Sequence, residues 1–549
     1  MRFSKIVILL AIIFTHSLIW SQDVVAPQGM VASAHPMASQ AGIHILKIGG
    51  NAVDAAVATA FALAAVEPNA SGLGGGGYLV LKMVQEKQPV FLDYREKAPG
   101  GATAKVFYET DQSFYEMTHY GGKSIGVPGM VAGLFSLHEK YGKLPLAQVL
   151  QPAIEYCDNG VTVSENLAAI IIDKYNYLSA NTDASKIYLL DLLPPEAGTV
   201  LKNPQLAESI KQLISDGANL FYKGKIAEAI VETSEKNNGL ITTKDLENYK
   251  PVYGVPVKGT YRGFEIYSAA PSSGGGTHLI EFLNILEGFK LKEMKHNSAK
   301  YIHTLAEAMK IILTDKEAYM CDPAFGDIPI ARLMDKRYAQ HLRDFIKPSQ
   351  ARFDYISRNE EGDESGSTSH LSVVDAERNV VALTQSINLW FASGIVAKGT
   401  GILLNNHMAD FADKPEMPNS VEPNKRPVSS IAPTILLKDG KPFLTIGTPG
   451  GTRIIGALAQ IIINLIDFNM SIDQAIEAPR IHAQGKYLYI EGRIGKETVA
   501  QLEKMGHRVK MKDKYDAYFG GAQGILINTE TDKLYGGADS RRDGVAVGY

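Results

Sequence analysis

The sequence predicts an α+β protein, and three observations carry that prediction. An alanine-rich helical stretch lies near the N-terminus. The middle of the chain reads as helix punctuated by Pro and Gly. From Thr368 onward the character changes to strand. The chain has 549 residues, 45% hydrophobic and 21% charged, enough for a core of several layers. The net charge of −4 is small for this size, and no long basic stripe runs along the chain. Both features argue against nucleic-acid binding.

The elements follow in order. Arg2 and Lys5 precede an apolar run over 6–14, with an exit near Ser21 or Gln22. This pattern predicts a signal peptide over 1–22, with periplasmic or extracellular delivery and no further membrane association. The run is short for a membrane span, and a retained anchor is the plainer alternative. Residues 38–47 read as a helix stopped by Gly49 and Gly50. Asn51 or Asp54 then opens a second helix over 53–66, which ends at Glu67-Pro68. Short strands are expected over 78–84 and 90–94. The region 130–330 is expected to be mostly helical, for example over 147–156, 206–216 and 299–315, without internal repeats.

The main discontinuity is 357–367, Ser-Arg-Asn-Glu-Glu-Gly-Asp-Glu-Ser-Gly-Ser, which has no hydrophobic side chain and is expected to be exposed. Strands follow over 370–374 and 380–387 around a turn at 375–379. Further strands are expected over 402–404, 434–437 and 443–446, the last two joined at Asp439-Gly440. An apolar helix over 454–466 should lie between layers, and the C-terminal segment reads as short strands and turns.

Several motifs lead nowhere. The run Gly72-Leu73-Gly74-Gly75-Gly76-Gly77 matches GxGxxG, but a helix precedes it and a strand follows, the reverse of a dinucleotide site. A turn packed close to other backbone fits better. Gly122-Lys123-Ser124 lacks the first glycine of a phosphate loop, since Met117 stands there. There is no HExxH and no GxSxG. Cys157 and Cys321 are read as buried small residues rather than a bridge, and neither has metal-ligand spacing. No cofactor and no metal are expected.

Thr368 is different. A threonine hydroxyl needs a base, and one solution uses the residue's own α-amine, freed by cutting the preceding peptide bond. That chemistry calls for a Thr at the head of a buried strand, an exposed linker before it and oxyanion donors elsewhere. The sequence offers Thr368, the linker 357–367, and the loop Thr448-Pro449-Gly450-Gly451-Thr452, whose glycines can aim N–H groups at one oxygen. The alternative is an ordinary polar loop entering a strand.

At these residues the chain resembles the γ-glutamyltransferases (glutathione hydrolases) of the N-terminal-nucleophile class. The stretches that carry the resemblance span nearly the whole chain. They are Gly-Met-Val-Ala-Ser at 29–33, Gly-Gly-Asn-Ala-Val-Asp-Ala-Ala at 49–56, Asp93-Tyr94-Arg95-Glu96 and Thr-Ser-His-Leu-Ser-Val-Val-Asp at 368–375. To these are added Gly-Ile-Leu-Leu-Asn-Asn at 401–406, Pro-Asn-Lys-Arg-Pro-Val-Ser-Ser at 423–430, and Pro-Gly-Gly-Thr-Arg at 449–453.

The resemblance implies a four-layer αββα sandwich with two stacked, mainly antiparallel sheets. It implies self-cleavage between Ser367 and Thr368, giving a large chain 23–367 and a small chain 368–549 that stay entwined as a heterodimer. Thr368 would attack γ-glutamyl amides such as glutathione, and the glutamyl ester would pass to water or to an amino acid or peptide acceptor. Ser386 matches the hydroxyl beside the nucleophile, and Gly450 and Gly451 match the oxyanion pair. Arg95, Ser429 and Ser430 match the carboxylate binders, and Asn388 and Asp410 the amine binders. Without the resemblance, Arg95 reads as a surface ion pair with Glu96 or Asp93.

Three departures stand out. Ser386 replaces a common Thr and keeps its hydroxyl. His407 replaces a Gln or Glu near the substrate amine, and a protonated imidazole there would weaken donor binding below about pH 6.5. The stretch between Asp413 and Pro423 is short where many relatives carry a lid, which would leave the site open to larger donors. Trp390 and Phe391 are read either as rim or as core. Two rivals remain: a glutaryl-type cephalosporin acylase of the same fold, which needs no amine-binding carboxylate, and an inactive secreted binding protein.

Overall fold

The computed structural model describes residues 23–353 and 367–549. The expected signal peptide, and the linker up to residue 366, lie outside the described residues.

Two seven-stranded sheets form the centre. One runs, in spatial order, Val24–Ala26, Leu534–Ala538, Gln523–Ile527, Lys441–Gly447, Thr434–Lys438, Phe264–Ser268 and Val257–Tyr261. The other runs Val545–Gly548, Met30–Ser33, Ser369–Val374, Val380–Ser386, Gly76–Lys82, Val90–Asp93 and Val252–Gly254. All neighbouring strands within the two sheets pair antiparallel.

The sheets stack face to face, and helices cover both outer faces. Pro36–Lys47 and Ala52–Val66 pack on the second sheet, and Gly275–Glu287 and Arg453–Ile466 on the first. The result is the αββα sandwich that the resemblance implies.

Strand periodicity explains the stacking. Every residue of Gly76–Lys82 is buried, with alternate residues facing alternate layers. Tyr78 and Val80 join the core between the sheets, whereas Leu79 and Leu81 join the core under the N-terminal helices. Val380 and Ala382 divide from Val381 and Leu383 in the same way. Both residues considered for opening the second helix take part. The Asn51 side chain accepts from the N–H groups of Val53 and Asp54, and Asp54 accepts from the Asn51 N–H. The Asp439-Gly440 hairpin forms with φ of 51° and 74°, as a tight turn between right-twisted strands requires.

The middle is mostly helical as expected, and two regions hold elements beyond those expected. The helical middle also holds the strands Val252–Gly254, Val257–Tyr261 and Phe264–Ser268, which complete one edge of each sheet. At these edges the strands carry Lys258, Gly254 and Gly259 and are half exposed, so their hydrophobic alternation is weak. The C-terminal segment holds two helices, Ile472–Glu477 and Lys496–Lys504, in addition to strands. The first is announced by a capping box between Ser471 and Gln474.

The glycine run sits between helix and strand as a close-approach turn. A Cβ on Gly74 would collide with the Leu403 carbonyl oxygen, and one on Gly75 with that of Ser386. Backbone from 72–77 therefore lies directly against the strand end that carries Ser386. Cys157 and Cys321 are both buried and unbridged.

Candidate active site

Thr368 immediately precedes Ser369–Val374, an inner strand flanked by Met30–Ser33 and Val380–Ser386. It is 4% exposed and opens onto a cavity of about 570 Å³. Its Oγ1 donates to Ser386 Oγ at 3.1 Å and also contacts the Ser367 carbonyl oxygen. Ser386 Oγ itself donates to that carbonyl at 2.9 Å and accepts from the Asn388 N–H at 2.8 Å. The Ser367 N–H and hydroxyl both donate to the Asn388 carbonyl, at 3.0 and 2.6 Å. Arg542 Nη1 holds the Thr368 carbonyl at 3.2 Å. The Ser367–Thr368 peptide is thus fixed from both sides, with a hydroxyl on its carbonyl.

Among the described residues, the partners of Thr368 Oγ1 are a carbonyl and a hydroxyl, not an imidazole. His370 is fully buried, with its ring nitrogens against Thr384 Oγ1 at 2.7 Å and Ser372 Oγ at 3.0 Å, and burial lowers its pKa to about 3. It is a core histidine. Ser369 Oγ donates to Glu67 Oε2 at 2.5 Å, and burial raises the Glu67 pKa to about 7.

The loop opposite carries Gly450 and Gly451 at φ of 135° and 57°, a conformation suited to glycine. Among the described residues, no hydrogen bond engages the backbone N–H of either. Gly451 lines the cavity; Gly450 sits one residue behind it and is not among the lining residues.

Asn388, Arg95, Asp410, Ser429, Ser430 and His407 line the same cavity. Arg95 is 1% exposed, so the contact with Glu96 expected at the surface from sequence alone is buried instead. Its guanidinium pairs with Asp410, lies 3.6 Å from Glu96 and donates to the Pro427 carbonyl at 3.3 Å. Asp410 keeps its side chain 25% exposed on the cavity side. Asn388 Nδ2 donates to the Asn406 carbonyl at 3.1 Å, which leaves Oδ1 as an acceptor at the cavity.

His407 corrects an expectation. Its Nδ1 lies 2.9 Å from Glu96 Oε1, and both groups are buried. Burial pushes the His407 pKa well below its usual value and that of Glu96 up to about 8. Burial therefore favours a protonated Glu96 and a neutral imidazole at neutral pH. Burial disfavours the charged ring and so moves the protonation expected below about pH 6.5 to lower pH.

The other expectations divide. Phe391 is 1% exposed in an apolar cluster, Trp390 packs against that cluster beneath Arg542, and neither lines the cavity. Asp413, Lys414 and Met417, from the short stretch after Asp410, do line it. The Asn405-Asn406 pair of the 401–406 motif is scaffolding. Asn405 Nδ2 donates to the carbonyls of Gly74 and Gly126, each at 2.7 Å, and Asn406 Oδ1 accepts from the Leu389 N–H at 3.1 Å. Sequence reasoning missed the wall contributed by the helix Ala299–Tyr319, where Leu313, Lys316 and Glu317, with Met320 just past its end, face the cavity. Their helical spacing is visible in the sequence, but it signals only a shared face.

An αββα sandwich that opens a central strand with a buried threonine on a polar cavity defines the N-terminal-nucleophile hydrolase class. The Gamma-glutamyltranspeptidase family model matches residues 38–549, and the chain belongs to that family. It is 40% identical over 545 residues to a glutathione hydrolase proenzyme of Escherichia coli, covering 95% of this chain and 92% of the relative. It is 37% identical to the Acylase ACY 1 proenzyme of a Pseudomonas species, covering 95% and 93%. The crystal structure of cephalosporin acylase from Bacillus halodurans superposes with a TM-score of 0.88 at 29% identity, covering 96% of this chain and 97% of that one.

Proposed function

We propose that the chain is a proenzyme that cleaves itself between Ser367 and Thr368 and then works as a γ-glutamyltransferase and glutathione hydrolase. The observation that carries this reading is the paired arrangement of Thr368 with Ser386 and of Arg95 with Asp410 on one cavity.

In the first reaction Thr368 Oγ1 attacks the Ser367 carbonyl carbon. The C–N bond breaks as an ester C–O bond forms, and the amide nitrogen takes up the proton. Water hydrolyses the ester, leaving Ser367 as a carboxylate and Thr368 with a free amine and hydroxyl. The Ser386 hydroxyl on the Ser367 carbonyl supports this step by stabilising the charge that develops on oxygen. The products are a large chain 23–367 and a small chain 368–549. The two central strands beside each other, Met30–Ser33 and Ser369–Val374, come one from each chain, which keeps the pair together as a heterodimer.

In the second reaction the Thr368 amine acts as base, and Oγ1 attacks the γ-carbonyl of the donor. The N–H groups at Gly450 and Gly451 receive the oxyanion, and the leaving amine departs with a proton. Water or an acceptor amine then takes the γ-glutamyl group from the ester. The donor's α-carboxylate meets Arg95, Ser429 and Ser430, and its ammonium meets Asp410 and Asn388 Oδ1. A neutral His407 adds no positive charge against the ammonium. Asp410 favours γ-glutamyl over glutaryl donors, because glutaryl carries no ammonium for a carboxylate to hold.

Among the described residues no helix is long and apolar enough to cross a membrane. With the leader read at 1–22, we place the mature enzyme in the periplasm or outside the cell. Intact-mass analysis tests the whole reading. Purified protein should give two chains that meet at residues 367 and 368 and should release nitroaniline from γ-glutamyl-4-nitroanilide. A single-chain protein with that activity would overturn the account.

A further inference from the structure

Arg95 and Asp410 already answer the two charges of a γ-glutamyl α-centre, and they neutralise each other when the cavity is empty of donor. Glu96 and His407 behind them carry no net charge at neutral pH. The cavity wall nevertheless holds another cation. The helix Ala299–Tyr319 presents Leu313, Lys316 and Glu317 to it, at spacings that fall on one helical face, and Met320 follows at its end. Lys316 is the cation of that face, and among the described residues no hydrogen bond or ion pair engages its ammonium.

Its position is fixed by its neighbours. A Cβ on Gly274 would stand 3.4 Å from Lys316 Cε, and the Gly274 N–H donates to the Ser429 carbonyl at 2.9 Å. The Lys316 side chain therefore runs beside the segment that carries Ser429 and Ser430. Burial lowers its pKa, Asp410 and the neighbouring Glu317 raise it, and Arg95 lowers it. Lys316 thus sits in the field of the Arg95–Asp410 pair, without a carboxylate in contact among the described residues. A partly buried ammonium without a counter-ion is unfavourable, and an anion arriving in the cavity relieves it. Substrates of this class offer one kind of anion, a carboxylate.

We propose that Lys316 is a carboxylate-binding, specificity-determining residue of the substrate cavity. The carboxylate has two sources: the α-carboxylate of the γ-glutamyl donor, shared with Arg95, or a carboxylate on the leaving or accepting amine, as amino acids and peptides carry. This inference rests on the γ-glutamyl reading of the site. In either case Lys316 touches substrate and makes no covalent bond, so its loss acts on KM rather than on kcat.

The experiment compares wild type, Lys316→Met and Lys316→Arg on γ-glutamyl-4-nitroanilide and on γ-glutamyl-3-carboxy-4-nitroanilide, which differ by one leaving-group carboxylate. Lys316→Met should raise KM ~10-fold or more with kcat within about twofold, the size of one charged hydrogen bond, and Lys316→Arg should recover most of the loss. An equal rise on both anilides assigns the donor α-carboxylate. A rise confined to the carboxylated anilide assigns the leaving amine. KM within about twofold of wild type on both anilides overturns the proposal. So does a Lys316→Met protein that fails to split into two chains, since Lys316 would then serve folding or processing. A wild type inactive on both anilides would instead remove the γ-glutamyl reading itself.

Discussion

The two ends of the cavity are built on opposite principles. At one end, Thr368, Ser386 and the Ser367 carbonyl form a chain of neutral hydroxyl contacts held by backbone groups. At the other, buried Arg95, Glu96 and His407 form a set of titratable groups in contact, with Asp410 at its edge on the cavity. Bond exchange at the first end needs a hydroxyl whose proton can leave and whose position does not wander. Neutral contacts give position without fixing charge. Recognition at the second end needs fixed charges matched to a zwitterion, and burial strengthens them by keeping water out. The contrast teaches that changes at the first end should act on rate and those at the second on binding.

The largest test of that division is the nucleophile. Thr368→Ala should remain one chain and lose activity by more than ~10³-fold, read by intact mass and anilide hydrolysis. Activity from an uncleaved Thr368→Ala protein would erase the distinction between the ends, since no group at the first would then be reacting.

Next is the charged pair. Arg95→Ala leaves Asp410 without its buried partner and should raise donor KM by ~100-fold, with Arg95→Lys recovering little because it lacks the planar fork. Asp410→Asn should cut the preference for γ-glutamyl over glutaryl anilide by ~10-fold or more. If either variant chiefly lowered kcat, the second end would belong to the chemistry as well.

A smaller effect is expected at Ser386. Ser386→Ala removes one neutral hydroxyl contact from both Thr368 and the Ser367 carbonyl. Self-cleavage and kcat should slow by ~10-fold, with KM unchanged, and Ser386→Thr should restore both. A time course of chain splitting on gels reads the first effect and steady-state kinetics the second.

The two ends also differ in how legible they were. Thr368 stood out because a segment without hydrophobic side chains meets a fully buried strand there, and that boundary is written in composition. The layered fold was legible where strands are buried on both faces, as in Gly76–Lys82, and illegible at the edges, where Val257–Tyr261 is half polar. Arg95 and Asp410 lie 315 positions apart, and nothing local in either stretch says that they touch. Pattern alone made Arg95 a surface residue, and only the family resemblance placed it in the site. His407 was recognised as unusual, but its protonation state depends on Glu96, a partner that sequence spacing does not reveal. Lys316 was missed because a lysine on a helix face is ordinary until the cavity beside it is known.

The finest test turns on Glu96. Its pKa is raised to about 8, so the folded protein holds a proton there that the unfolded chain releases near the ordinary carboxylate value. The folded state thus binds more protons between those two limits. Glu96 therefore makes stability fall as pH rises from about 4.5 to 8, and its contribution is fully present below that window. Glu96→Gln, which mimics the protonated acid, should flatten the dependence of thermal stability on pH across the same window. Donor binding should follow the same group. Burial keeps the His407 ring neutral through the ordinary histidine range, so donor KM should stay level as pH falls through about 6.5. As Glu96 ionises near pH 8, a negative charge appears beside His407 and Arg95 at the recognition end of the cavity. Donor KM should therefore change by ~2–5-fold around pH 8 in wild type, the size of one weak hydrogen bond, and Glu96→Gln should abolish the change. The Thr368 amine titrates close by, but it acts on kcat, so the variant should leave the kcat profile in place. A wild-type KM that instead rises below about pH 6.5 would show that His407 does protonate, and the charged end would then be a pH switch rather than a fixed clamp.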